Sequence, residues 1–148
     1  MLNQDYKEML SLLLEDHVDF LLVGAYALAV HGFPRATGDI DIFVKADKEN
    51  AKKVYHALAS FGAPLSNIKI KDFAVPGTIF RIGVAPRRID IITEIDGLSY
   101  DQASIDKEIV EIDGLSIPVI SKQKLIINKL STNRDKDKID AENLKNQN

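Results

Sequence analysis

The chain contains no cysteine. That excludes disulfides, zinc–thiolate centres, iron–sulfur clusters and a cysteine nucleophile, and it fits a reducing compartment. It also lacks any apolar run of the roughly 20 residues needed to cross a bilayer. The longest such stretch, Phe20 to Val30, is interrupted by Gly24 and Tyr26. The first residues, MLNQDYKEML, have neither the basic start nor the apolar segment of a secretory signal, so a cytoplasmic protein with no membrane partner is expected. An excess of positive charge is missing too. Nineteen Lys and Arg against 22 Asp and Glu leave a net charge of −3, which argues against coating nucleic acid by bulk charge while leaving room for a local basic pocket. There are no internal repeats and no low-complexity linker. What 148 residues do supply, 45% of them hydrophobic, is enough for a core: a chain near this size buries roughly 70% of its unfolded surface. One domain over residues 1–148 is expected, with a core at about 18–142 and a polar tail that frays.

The apolar pattern predicts the elements. Leu2, Tyr6, Met9, Leu10, Leu13 and Leu14 recur at helical spacing. Phe20 to Val23 is a short continuous apolar run that suits a buried strand. Gly24 ends it, Ala25 to Val30 favours helix, and Gly32 and Pro34 stop that helix. Asp39 to Val44 alternates as a strand does, and Lys48 to Phe61 is a second amphipathic helix closed by Gly62 and Pro64. Ile68-Lys69-Ile70 hints at an edge strand, while Ile79 to Val84 and Ile89 to Thr93 read as two more strands. Glu108 to Ile112 and Leu115 to Ile120 flank Asp113-Gly114, a hairpin signal. Ser121 can cap a helix running to about Leu130, and Asn133 to Asn148 reads as a short helix that frays. The order predicts an α/β fold, a small mixed sheet with helices mainly on one side.

Three features between Gly24 and Asp90 carry chemistry. Gly24-Ala25 lies between a buried strand and a helix, where a glycine allows either a plain tight turn or a close approach by a phosphate to backbone N–H groups. Asp39 and Asp41 are two apart on a strand, so their side chains share a face with Cα atoms roughly 6.6 Å apart, and Ile40 and Ile42 turn into the core. Two acids this close repel and lose solvation. They are either two acids on a solvated face or a site for a hard cation such as Mg²⁺, which prefers carboxylate oxygens. Arg88-Ile89-Asp90-Ile91-Ile92 then repeats the pattern. Alone, Asp90 is a salt-bridge partner for Arg87 or Arg88. On a strand beside Asp39 and Asp41 it completes a set of three carboxylates, which can hold two metal ions about 3.5–4 Å apart for an in-line phosphoryl or nucleotidyl displacement.

A glycine and a small residue, thirteen residues (26 to 38), Asp-x-Asp flanked by apolar residues, and a later strand Asp resemble the nucleotidyltransferase fold of the DNA polymerase beta-like superfamily. The wider string Arg35-x-Thr37-x-Asp39-x-Asp41, after an Ala-rich helix ending His31-Gly32, is similar to the small bacterial nucleotidyltransferases of the abortive-infection toxin (AbiEii) type. The tail, with Lys129 and then Lys136-Asp137-x-x-Asp140, carries a looser likeness. The resemblance implies that Gly24 and Ala25 cradle the phosphates of an NTP, that Asp39, Asp41 and Asp90 bind two Mg²⁺ ions, and that Asp90 takes the proton of the acceptor hydroxyl. It implies that Arg35 and Thr37 order the site or touch phosphate, and that Lys129 reaches the triphosphate. For Arg35 the alternative is a surface charge, and for Lys129 a solvated helix face. Ala25 departs from the Ser or Gly common in the superfamily and offers only its backbone N–H.

The function implied is Mg²⁺-dependent transfer of a nucleoside monophosphate from an NTP to an acceptor hydroxyl, with pyrophosphate released. The acceptor is left open among a small molecule, a protein or a transfer-RNA end, as are a toxin role with an antitoxin partner and a homo-oligomer. The length leaves no room for an acceptor-binding domain, so a partner chain, a dimer mate or the cleft itself would hold the acceptor. The alternative is a catalytically impaired nucleotide- or metal-binding regulator on the same fold, acting through a partner.

Overall fold

In the computed structural model, residues 2–33 and 38–147 are described. The helices are α1 (Gln4–Glu15), α2 (Gly24–Val30), α3 (Lys48–Phe61), α4 (Tyr100–Ser104), α5 (Lys122–Leu130) and α6 (Asp135–Lys145). The strands are β1 (Phe20–Val23), β2 (Ile40–Val44), β3 (Ile79–Ile82), β4 (Ile89–Ile92), β5 (Glu108–Ile112) and β6 (Leu115–Val119). They form one mixed sheet in the order β3-β4-β2-β1-β6-β5. The two pairings that build the site lie at its centre: β1 runs antiparallel to β2, and β2 runs parallel to β4.

Local chemistry sets these boundaries. The Asn3 side chain accepts the Tyr6 N–H at 2.9 Å and starts α1, which buries Tyr6, Met9, Leu10 and Leu13. Asp47 does the same for α3 through the Asn50 N–H at 2.7 Å, and Gly62 ends that helix in the left-handed region at φ 90°. Ser121 caps α5. Asp113 and Gly114 both have positive φ and join β5 to β6 in the register Ile112↔Leu115, as a two-residue turn of this sequence demands. A single core cluster links α1 and α3 to the centre of the sheet, including Leu22, Ile40, Ile42, Val54, Leu58 and Ile91.

Three expectations need correction. Ile68 to Ile70 do not form an edge strand; a 3₁₀ turn follows at Ile70–Ala74. Asp72 accepts the Lys69 N–H at 2.8 Å and curls the chain. Phe73 is thereby fully buried against Phe80, with ring centroids 6.0 Å apart. The strand beginning at Ile79 stops at Ile82 rather than Val84, because Gly83 adopts φ 81° and Val84 turns 79% exposed. The tail does not fray through its length. Helix α6 buries Asp137, Asp140, Ala141 and Leu144, and half of that buried face is carboxylate, so it left little apolar pattern to read.

Asn50 ties the base of α3 to the sheet. It is 2% exposed, accepts the Asp19 N–H at 2.7 Å, and donates to the carbonyls of Asp19 at 3.0 Å and Lys45 at 2.9 Å. Asn50→Ala removes three hydrogen bonds to the backbone of Asp19 and Lys45 and should cost about 2–4 kcal/mol, seen as a fall in Tm by thermal denaturation. An unchanged Tm would mean that water replaces all three bonds.

Candidate active site

Strand pairing gathers the acids. β2 and β4 are in the register Ile40↔Ile89 and Asp41↔Asp90, so the two carboxylates start from adjacent points of a parallel pair and share a face. Asp39 sits one residue before β2, and its Oδ1 accepts the Arg88 N–H at 3.1 Å. Asp90 is 6% exposed. Burial, and next the neighbouring Asp90, push the Asp41 carboxyl up from 3.8 to about 6; Asp39 adds to the rise and Arg88 opposes it. Among the described residues, these three carboxylates meet two cations, Arg88 and the more distant Arg81.

Gly24 is required by that cluster. It follows β1 directly, its φ is +67°, and a Cβ there would collide with Asp41 Oδ2. Because Val23 pairs with Asp41, the turn after β1 must pass close to the carboxylate, and only glycine leaves the space. Ala25 follows in the first turn of α2, whose N-terminus has no side-chain cap. A second constraint comes from Tyr6. Its hydroxyl donates to the Gly38 carbonyl and lies 3.2 Å from the Arg88 carbonyl, while Ile40 N–H donates to that same carbonyl at 3.0 Å. The entries to β2 and β4 are thus pinned together beside the acids. Burial, then the neighbouring Tyr26, push the Tyr6 phenol up to about 12, so it stays a proton donor.

Gly24, Ala25, Asp39, Asp41, Arg88 and Lys129 all line one cleft of about 720 Å³. Asp90 does not line it; Arg88 does. The Arg88 guanidinium binds Asp90 through Nε at 2.8 Å and Nη2 at 3.3 Å, and reaches Asp39 Oδ2 at 3.4 Å. Of the two partners open to Asp90 in the sequence, Arg88 is the one used.

Lys129 belongs to a different arrangement from the two considered in the sequence. Its side chain is only 11% exposed, and Nζ lies 3.1 Å from Asp137 and 3.5 Å from Asp140, whose side chains are 3% and 2% exposed. Thr132 and Arg134 also hold Asp137, at 2.6 Å and 2.8 Å. Burial acts to raise the Asp137 carboxyl, but hydrogen bonds from Thr132 and Lys129 and the charges of Lys129 and Arg134 outweigh it and hold it below the usual range. Asp137 and Asp140 line the cleft as well. Their signal was the Lys136-Asp137-x-x-Asp140 string. Arg35 and Thr37 lie outside the described residues.

Among the described residues no group of three or more His, Asp or Glu side chains is arranged to hold a metal ion. The donor chemistry of Asp39, Asp41 and Asp90 still fits a hard divalent cation, and the raised Asp41 carboxyl marks the charge such a cation would neutralise. Among the described residues, no helix is long and apolar enough to cross a membrane.

A family profile described as "Nucleotidyltransferase of unknown function (DUF6036)" matches residues 1–147. The fold is similar to that of a candidate nucleotidyltransferase of Thermotoga maritima, with a TM-score of 0.63 and 20% identity over 98% of this chain and 93% of that one. It is similar to the antibiotic-resistance factor ANT(2'')-Ia, with a TM-score of 0.60 and 13% identity over 95% and 80%. It is also similar to the lincosamide antibiotic adenylyltransferase LnuA, solved with lincomycin bound, with a TM-score of 0.57 and 18% identity over 97% and 96%. At these identities the likeness shows the fold. A search of curated protein sequences finds no significant match.

Two variants test the geometry of the cluster. A carboxyl whose pKa rises from 3.8 to about 6 on folding lowers stability as pH climbs through that window and costs it fully above. Asp41→Asn should therefore be more stable than the parent by about 2–3 kcal/mol above pH 6, the gap closing towards pH 4. Melts without divalent cations check this, and a gap independent of pH would refute it. Gly24→Ala should cost ~2 kcal/mol or more, from the left-handed backbone and the collision together. A neutral result in the same melts would show that Asp41 can move aside.

Proposed function

The chain belongs to the nucleotidyltransferase family of unknown function DUF6036, and from that premise we propose that it transfers a nucleoside monophosphate from an NTP to an acceptor hydroxyl with Mg²⁺ bound at the carboxylate cluster. The observation that carries this reading is the Asp41↔Asp90 register, with Asp39 beside it and a cleft of about 720 Å³ in front. Fixed acids with surplus negative charge favour a divalent cation and its nucleotide.

Asp39, Asp41 and Asp90 would hold Mg²⁺, which would offset the phosphate charge and favour departure of the pyrophosphate oxygen. Gly24 and Ala25 bring backbone N–H groups to the phosphates, and the missing hydroxyl at Ala25 is met by backbone donors alone. The acceptor oxygen attacks the α-phosphorus in line, the bond from that phosphorus to the bridging oxygen breaks, and pyrophosphate leaves with the electron pair. Asp90, which Arg88 covers and which does not line the cleft, would accept the hydroxyl proton only after that guanidinium moves away. Lys129, bound to Asp137 and Asp140, fixes the α6 wall of the cleft.

The acceptor follows from none of these residues. A toxin role, neutralised by an antitoxin, is the narrower proposal drawn from the Arg35 to Asp41 string. Growth arrest on expression, relieved by a neighbouring gene product, would support it. The second reading, a regulator that binds nucleotide without turnover, is favoured by Ala25 alone.

A thermal-shift panel tests the proposal, with each NTP measured with and without Mg²⁺ on the parent and on Asp39→Asn. A ligand at 100 times its Kd stabilises by about 2.7 kcal/mol, so at least one Mg²⁺–NTP pair should raise Tm by about 5–10 °C. The shift should vanish in the variant. Pyrophosphate release with label transfer then separates enzyme from regulator. No shift with any nucleotide would refute the transfer reading for the isolated chain and favour a catalytically impaired regulator that acts through a partner.

A further inference from the structure

Arg88 stands between the cleft and Asp90. Its backbone is fixed, since its carbonyl accepts the Ile40 N–H at 3.0 Å and its N–H is bound by Asp39 at 3.1 Å. Its side chain is 29% exposed and lines the cleft, while the Asp90 side chain beneath is 8% exposed. The guanidinium covers both Asp90 oxygens, at 2.8 and 3.3 Å, and reaches Asp39 Oδ2 at 3.4 Å. A carboxylate oxygen that accepts a short charge-assisted hydrogen bond has that lone pair committed. Each Asp90 oxygen keeps a second lone pair, but a divalent cation bound there would lie beside the like charge of the guanidinium, so the two cations compete for the same carboxylates. Among the described residues the next cation, Arg81, lies 3.9 Å from Asp90 and is 57% exposed, too loosely placed to take over.

We infer that Arg88 is a positioning residue that competes with the divalent cation for Asp39 and Asp90, and that it yields them only when a triphosphate offers its guanidinium a new partner in the cleft. The inference rests on the proposed nucleotide site. The arginine holds two of the three acids in place and excludes stray metal until the nucleotide arrives. The length of the side chain allows the exchange, because a fixed backbone at the start of β4 leaves the guanidinium free to swing towards the lining of the same cleft. Metal and nucleotide then bind with positive coupling, and by linkage each strengthens the other by the same factor.

The test measures Mn²⁺ uptake by the protein as the metal retained in equilibrium dialysis, each nucleotide arm being corrected for the Mn²⁺–nucleotide complex in a protein-free control. Parent, Arg88→Gln and Arg88→Lys are titrated with Mn²⁺ alone and with Mn²⁺ plus ATP, CTP, GTP or UTP in turn. Far-ultraviolet circular dichroism checks that each is folded, and the lysine variant keeps the charge should the glutamine variant fail to fold. The parent should bind Mn²⁺ weakly alone and at least tenfold more tightly with one of the nucleotides. Arg88→Gln should bind Mn²⁺ alone at least tenfold more tightly than the parent and lose most of the nucleotide-induced gain, with Arg88→Lys between them. If the parent binds Mn²⁺ with a nucleotide but neither variant binds Mn²⁺ alone more tightly, the competition is overturned and the site stands. If no protein takes up Mn²⁺ under any condition, the proposed function is overturned, and the competition with it.

Discussion

Like charges one strand spacing apart are the constraint under which this site is built. Strands β2 and β4 run parallel in a register that pairs Asp41 with Asp90, and neighbouring strands lie ~4.8 Å apart. At an effective dielectric of about 20, two unit charges at that spacing repel by roughly 3 kcal/mol. A domain holds only about 5–15 kcal/mol of stability, so a repulsion of this size must be met by the structure around it. The responses are visible one by one. Asp41 gives up part of its acidity, its carboxyl rising to about 6. Arg88 spans Asp39 and Asp90. The chain passes Asp41 on a glycine because any larger residue would collide with the carboxylate. Tyr6 and the Ile40 N–H meet at the Arg88 carbonyl, so the register that creates the repulsion does not slip to relieve it. A one-residue slip would turn an acid into the core and an isoleucine into the cleft.

The parts legible in the sequence are those where a local pattern meets a local cause. Phe20 to Val23, Gly24 and Ala25 to Val30 read as strand, turn and helix because burial, a positive φ and helix propensity act there on neighbouring residues. Asp113-Gly114 marked a hairpin for the same reason. The acids were legible as types: Asp39 and Asp41 share a face by strand geometry, and Asp90 repeats their setting. What no local pattern held was the cross-chain chemistry. Nothing near Lys129 says that its amine will be buried between Asp137 and Asp140. The tail therefore read as polar and frayed, when two of its acids, Asp137 and Asp140, are packed inside with Ala141 and Leu144. The 3₁₀ turn at Ile70–Ala74 was missed on similar grounds, because Phe73 finds its partner in Phe80, across a turn from it.

Charge balance then separates the two buried polar clusters that line the cleft. On the α6 side, Lys129 and Arg134 face Asp137 and Asp140: two cations for two acids. Asp137 has its cations and hydrogen bonds in place, and breaking such a group costs several kcal/mol. On the sheet side, among the described residues, Asp39, Asp41 and Asp90 share one closely bound cation, Arg88, with Arg81 at 3.9 Å and half exposed. That cluster is short of positive charge, and the shortfall falls on Asp41, the acid for which no ion pair appears among the described residues. The balanced cluster is what a wall needs, because it holds its shape whatever enters the cleft. The unbalanced one is what a cation site needs, because among the described residues nothing offsets its deficit. Fold likeness alone would not make this distinction, since both clusters sit in the same cleft on the same scaffold.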